Sequence, residues 1–130
     1  MDCIFCKIVK GEIPSYKVYE DELILAFLDL NPVSVGHTLI IPKEHFENIK
    51  DIEDKVLFEI NLRARELSKV LEEKLSCEGI SLCQNNGLGQ EIKHYHLHLI
   101  PRYQNDNLKF YVNDEAKSVL EETFSRLKDN

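Results

Sequence analysis

The stretch from Gln90 to Arg102 reads QEIKHYHLHLIPR, and from His94 to Leu99 it alternates histidine with an apolar or aromatic residue. A strict period of two specifies an extended strand, because successive side chains leave a strand on opposite faces. His94, His96 and His98 therefore share one face. Tyr95, Leu97 and Leu99 share the other, which has to meet a core. Same-face Cα atoms on a strand stand about 6.6 Å apart, so one phosphate or one metal ion can reach two of the rings. Three readings are open: metal ligands, catalysts, or polar side chains facing water. Histidine titrates near physiological pH and serves as acid, base, nucleophile and ligand. Placing three of the chain's five histidines at strict alternation points to chemistry rather than to a solvated strand face.

The rest of the chain supplies partners for this strand. Apolar Ile4, Phe5, Ile8 and Val9 predict one or two helical turns ended by Gly11. The β-rich runs Tyr16–Glu20 and Leu23–Leu30, separated by Asp21 and Glu22, predict a hairpin. The Asn31–Gly36 stretch is a loop, and His37–Lys43 reads as a third strand closed by Pro42. Ile52, Val56, Ile60, Ala64, Leu67, Leu71 and Leu75 step by three or four, which predicts a long amphipathic helix with Asp51 as N-cap. Gly79–Gly87 predicts a fourth strand running into a turn, so the fourth strand and the histidine strand should be antiparallel. Ala116, Leu120, Phe124 and Leu127 mark a last amphipathic helix capped by Asn113. The order is an α+β pattern, not the βαβ alternation of a dinucleotide-binding fold, and no Gly-rich phosphate loop is present.

At 130 residues with 43% hydrophobic residues, the chain suits a single domain, residues 1–130, with one core. The net charge of −7 argues against a nucleic-acid polymer as partner. It leaves room for a single nucleotide, whose phosphate needs only backbone N–H groups and a few side chains. No apolar run approaches the roughly 18–20 residues of a membrane span. Asp2 stands where a signal peptide carries positive charge, so no membrane and a cytoplasmic location are expected. In that reducing compartment Cys77 and Cys83 read as small core or strand residues, while Cys3 and Cys6 form a C-x-x-C pair.

The His-x-His-x-His run followed by two apolar residues resembles the signature of the histidine triad (HIT) family. The blocks CIFCKIVKGEIPSYKVYEDE, AFLDLNPVSVGHTLIIPKEH, NNG, GQ and HYHLHLIPR resemble that family's blocks in order, from Cys3 to Arg102. The resemblance implies a HIT fold: a five-stranded antiparallel sheet with one long helix and a C-terminal helix, forming homodimers. It implies binding of purine nucleotides and cleavage at the α-phosphate. The substrates it implies are nucleoside phosphoramidates, aminoacyl adenylates or dinucleoside polyphosphates. His96 matches the nucleophile, which forms a nucleotidyl-histidine that water hydrolyses. His98 is then placed to donate to the phosphate or the leaving group. His37 matches an additional histidine that supports the rings around His96. Asp29 resembles the acidic residue that accepts hydrogen bonds from ribose hydroxyls, and two carboxylate oxygens suit a vicinal diol. Phe5, Ile8, Phe27 and Leu30 are candidates for the apolar slot of the base, or else plain core. Asn85, Gly89 and Gln90 match positions facing the phosphate.

One position departs from the pattern. The family usually has Ser or Thr after Gly-Gln, and here the residue is Glu91. A carboxylate beside a phosphate is repulsive unless it is protonated or turned away.

The C-x-x-C pair supplies two ligands, and a closed structural zinc site needs four. Some members of the family hold a structural Zn²⁺ with such a pair, a histidine after IPK and the first triad histidine. By that resemblance Cys3, Cys6, His45 and His94 form the site here, and no metal is required for the chemical step. A redox C-x-x-C lacks its usual βαβ context. Two other functions remain open: a metal-dependent hydrolase in which His94, His96 and His98 ligate a catalytic ion, and a non-catalytic nucleotide sensor on the same fold.

Overall fold

Asp21 turns the chain between its first two strands. Its carboxylate accepts the N–H of Leu23 at 2.8 Å, the N–H of Ile24 at 3.0 Å and the hydroxyl of Tyr19 at 2.7 Å. This closes the hairpin of β1 (Lys17–Glu20) and β2 (Ile24–Leu28). β3 (Thr38–Pro42), β4 (Gly79–Gln84) and β5 (Leu97–Arg102) complete an antiparallel sheet in the order β1-β2-β3-β5-β4. The computed structural model describes residues 2–128.

Each face of the sheet is covered by a helix. α2 (Asp54–Leu75) lays Val56, Ile60, Ala64 and Leu67 against Ile24, Ala26, Ile40, Tyr95, Leu97 and Leu99. α1 (Ile4–Val9) lays Phe5 and Ile8 against Leu25, Phe27, Leu39 and Ile41 on the opposite face. β2 and β3 are thus enclosed on both sides, which is why they read as continuous apolar runs rather than as alternating ones.

Tyr95, Leu97 and Leu99 meet the α2 core as their alternation requires. Regular pairing of β5 begins only at Leu97, so His94 and His96 precede the ladder. Tyr95 is held there by its N–H to the Phe46 carbonyl at 2.7 Å.

Two boundaries differ from expectation. Asp51 does not cap α2, because its carboxylate already accepts the N–H groups of Glu47 and Asn48 at 3.0 and 2.9 Å. The helix starts after Glu53, which makes no side-chain cap bond. The C-terminal segment is two helices rather than one: α3 (Asp114–Ser118) and α4 (Leu120–Lys128), divided at Val119. Asn113 caps α3 as expected, accepting the Ala116 N–H at 2.9 Å. Neither helix buries a residue, and Leu120, Phe124 and Leu127 face away from any core among the described residues.

Gly36 sets the entry to β3. Its φ is +92°, and a Cβ there would stand 2.5 Å from Leu75 Cδ1 and 3.2 Å from Pro101 Cγ. Gly36→Ala is expected to cost about 1 kcal/mol or more, chiefly from the left-handed backbone. A thermal melt unchanged from wild type would contradict this.

Candidate active site

α1, β2, β3 and the loop before β5 enclose a cleft of about 400 Å³, within the range of small-molecule sites. Phe5, Ile8 and Phe27 supply its apolar wall, and Asp29, Asn85, Gly89 and Glu91 stand around it with His37, His96 and His98. Leu30 also borders the cleft but is 67% exposed, so it forms rim rather than wall. The Phe5 ring meets His96 edge-on, with centroids 5.0 Å apart.

Main-chain groups fix the proton positions on these rings. His96 Nδ1 lies 2.7 Å from the His94 carbonyl, and since a carbonyl only accepts, Nδ1 carries the proton. The lone pair of the neutral ring is then on Nε2. His37 Nδ1 accepts the Val33 N–H at 3.1 Å, which puts the His37 proton on Nε2. That atom stands 2.9 Å from His98 Nδ1 and donates to it. His98 therefore holds its own proton on Nε2. The arrangement pairs a ring offering a lone pair with a ring offering a proton, their centroids 4.9 Å apart.

Burial keeps the rings uncharged. It lowers His98 to about 4, helped by neighbouring His96 and His37. It also lowers His37 and His96, against a smaller upward effect of Asp29 on both. The Asp29 carboxylate lies 3.6 Å from His37 Nε2, and its other oxygen accepts the Asn31 N–H at 2.8 Å.

The depressed value at His98 has a consequence with a definite sign. An unfolded histidine titrates near 6.5. Between that pH and about 4, the unfolded chain binds the extra proton and the native one does not. Stability is full above pH ~6.5 and falls as the solution is acidified through that window. An imidazole NMR titration should find His98 neutral at pH 5.5; a protonated ring there would contradict the burial argument.

Two expected site residues point elsewhere. Gln90 is buried, but its amide donates to the Glu47 carbonyl at 2.6 Å and its oxygen accepts the Gly87 N–H at 3.1 Å. It braces the loop and does not face the cleft. The His94 ring is also outside the cleft, while the His94 carbonyl holds His96. His37 reaches the ring beside His96 through its bond to His98. Ser15 borders the cleft with a buried hydroxyl that has no partner among the described residues. Nothing in its local sequence distinguishes it from a surface serine.

The His94 ring belongs to a second group. Cys3, Cys6, His45 and His94 bring four ligand atoms within 4.8 Å of one another. Cys3 Sγ is 3.4 Å from His94 Nδ1, Cys6 Sγ is 3.3 Å from His45 Nδ1 and 3.6 Å from His94 Nδ1, and the two Nδ1 atoms are 3.1 Å apart. Tetrahedral zinc, with bonds of about 2.3 Å to sulfur and 2.0–2.1 Å to nitrogen, separates its ligands by about 3.3–3.8 Å. His94 Nε2 donates to the Pro42 carbonyl at 2.8 Å, so Nδ1 presents a bare lone pair to the group. The donors and their spacing fit zinc. Among the described residues, no group capable of holding a metal contains His94, His96 and His98 together, so the geometry offers no three-histidine metal centre.

The comparisons with known proteins agree with this architecture. Residues 10–105 match the HIT domain family. A HIT-like protein of Methanocaldococcus jannaschii is 45% identical over 131 residues, covering 97% of this chain and 98% of its own length. The adenosine 5'-monophosphoramidase hnt1 of Schizosaccharomyces pombe is 38% identical over 138 residues, covering 98% of this chain and its own full length (100%). The crystal structure of a HIT family member from Bacillus subtilis superposes with a TM-score of 0.86 at 36% identity, covering 100% of this chain and 97% of that one. A zinc-bound histidine triad protein from Mycobacterium smegmatis superposes with a TM-score of 0.79 at 32% identity, covering 99% and 97%. The chain belongs to the HIT family.

Proposed function

We propose that this protein is a purine nucleotide hydrolase or nucleotidyl transferase that cleaves at the α-phosphate. Its substrates are nucleoside phosphoramidates, aminoacyl adenylates or dinucleoside polyphosphates. The observation that carries the reading is the fixed tautomer of His96, whose Nδ1–H is held by the His94 carbonyl beside the ring of His98. Such a ring is a nucleophile near neutral pH without needing deprotonation.

With a phosphoramidate, His96 Nε2 forms a bond to the α-phosphorus as the P–N bond breaks. The bonding pair leaves on the amine nitrogen, which takes a proton from solvent. His98 Nε2–H donates a hydrogen bond to the developing charge on phosphate or leaving group. Water then attacks phosphorus, the pair of the histidine–phosphorus bond returns to Nε2, and the proton of water goes to solvent. The balance is amidate plus water to amine plus nucleoside monophosphate. Asp29 accepts from the ribose hydroxyls, the apolar wall takes the base, and Asn85 and Gly89 approach the phosphate. The phosphoramidase activity named for the Schizosaccharomyces pombe relative supports this reading. Trapping a covalent AMP adduct by intact-mass measurement after mixing with an adenosine phosphoramidate tests it. Nucleotide binding without any turnover would favour a sensor instead.

Zinc is assigned to Cys3, Cys6, His45 and His94 as a structural ion, supported by their spacing and by the zinc-bound Mycobacterium smegmatis relative. Bound there, the ion would tie the helix carrying Cys6 to the segment before β5 that carries His94, and the chemical step does not pass through it. The reading includes a homodimer, for which the uncovered side chains of Phe110, Tyr111 and Phe124 offer apolar surface.

A further inference from the structure

The cleft walls carry two carboxylates, Asp29 and Glu91, and three neutral imidazoles. Among the described residues that line it, none is Lys or Arg. Proteins that hold a chain of phosphates meet it with cations, because each additional phosphate brings negative charge into a confined space. This cleft has the opposite sign. Its lining offers imidazole N–H groups to a phosphate and, among the described residues, no cationic side chain to a second or third.

Glu91 is the group that gives this a direction. Its side chain is exposed at the cleft edge, on the loop that also carries Asn85 and Gly89. It makes no ion pair among the described residues. It lines the same cleft as His96 and His98. An unpaired carboxylate on the rim of the cleft that holds the attacking ring acts on charged groups that enter or leave through that rim.

We propose that Glu91 is a specificity-determining residue. It selects substrates whose leaving group carries an ammonium within a few bonds of the scissile bond, and it disfavours polyphosphate leaving groups. The inference rests on the hydrolase reading above and narrows its three substrate classes to amidates and acyl phosphates with cationic leaving groups. The carboxylate pairs with the ammonium as the leaving group enters, and the same carboxylate repels an incoming phosphate chain.

The test compares three substrates of one nucleoside: the 5'-phosphoramidate of ethylenediamine, the same compound N-acetylated on its free amine, and diadenosine tetraphosphate. Wild type should cleave the cationic amidate about three- to tenfold faster than the acetylated one in kcat/KM, as expected for a rim charge pair. The preference should shrink as salt is raised in wild type itself, which needs no variant to fold. It should fall to about onefold in Glu91→Gln. Glu91→Lys should raise the rate on diadenosine tetraphosphate relative to the acetylated amidate. Each comparison is a ratio within one protein, so changes in overall rate cancel. Equal rates on the two amidates in wild type, or a preference unchanged in Glu91→Gln and by salt, would overturn the role of Glu91 while leaving the hydrolase reading intact. No cleavage of any of the three by wild type would overturn both.

Discussion

His96→Ala is expected to lower turnover of an adenosine phosphoramidate by about 10³-fold or more, the scale on which loss of a covalent nucleophile acts. The AMP adduct should vanish with it. Nucleotide binding should survive, because the apolar wall and Asp29 lie on other elements. The cost to stability should be moderate: His96 is buried at 5% exposure and contacts Phe5, but its ring bonds to a main-chain carbonyl. His98→Ala should act differently, slowing turnover while still allowing the adduct to form, since it removes a donor and not the attacking atom. If His96→Ala kept near-wild-type turnover and still formed the adduct, another residue would be the nucleophile.

Cys6→Ser should lose the metal. Elemental analysis of wild type purified without added metal is expected to give about one zinc per chain, and the variant well below that. Removing one of four ligands leaves three donors crowded within 4.8 Å of one another with nothing to bind them. Stability should fall by about 3 kcal/mol or more, a drop of roughly 10 °C in Tm for a domain of this size. A chelator acting slowly on wild type should give the same species. Turnover should fall as well, since His94, a ligand in the proposed zinc site, also supplies the carbonyl that holds His96. Wild type free of metal, with Cys3 and Cys6 alkylated rapidly in the native state, would overturn the assignment.

The sequence carried most of the fold. Alternation placed Tyr95, Leu97 and Leu99 on the core side, and the three-four spacing of Ile60, Ala64 and Leu67 placed α2 over them. What it could not carry was the second cover. Phe5 and Ile8 sit in a six-residue helix whose role depends on contacts with Phe27 and Leu39, far away in the chain. The Asp51 cap was misleading because the same carboxylate suits a tight turn and a helix start, and the turn prevailed. At the site, residue types were legible and directions were not. Gln90 follows Gly89 on the loop yet turns its amide to Glu47. His37 bonds to His98 rather than to His96 because β3 and β5 pair antiparallel, setting Leu39 opposite His98. The C-terminal helices show the same limit: periodicity marks an apolar face, but it does not say what covers it.

Residue 94 belongs to both centres at once. Its ring faces the cysteines and its carbonyl accepts the Nδ1–H of His96. A single-residue insertion between His94 and His96 would dislocate both together, and a lineage losing Cys3 or Cys6 would also slacken the peptide that orients the attacking ring. With the cysteines gone, the main chain at Pro42, which grips the far side of the same ring, would remain as a brace on residue 94.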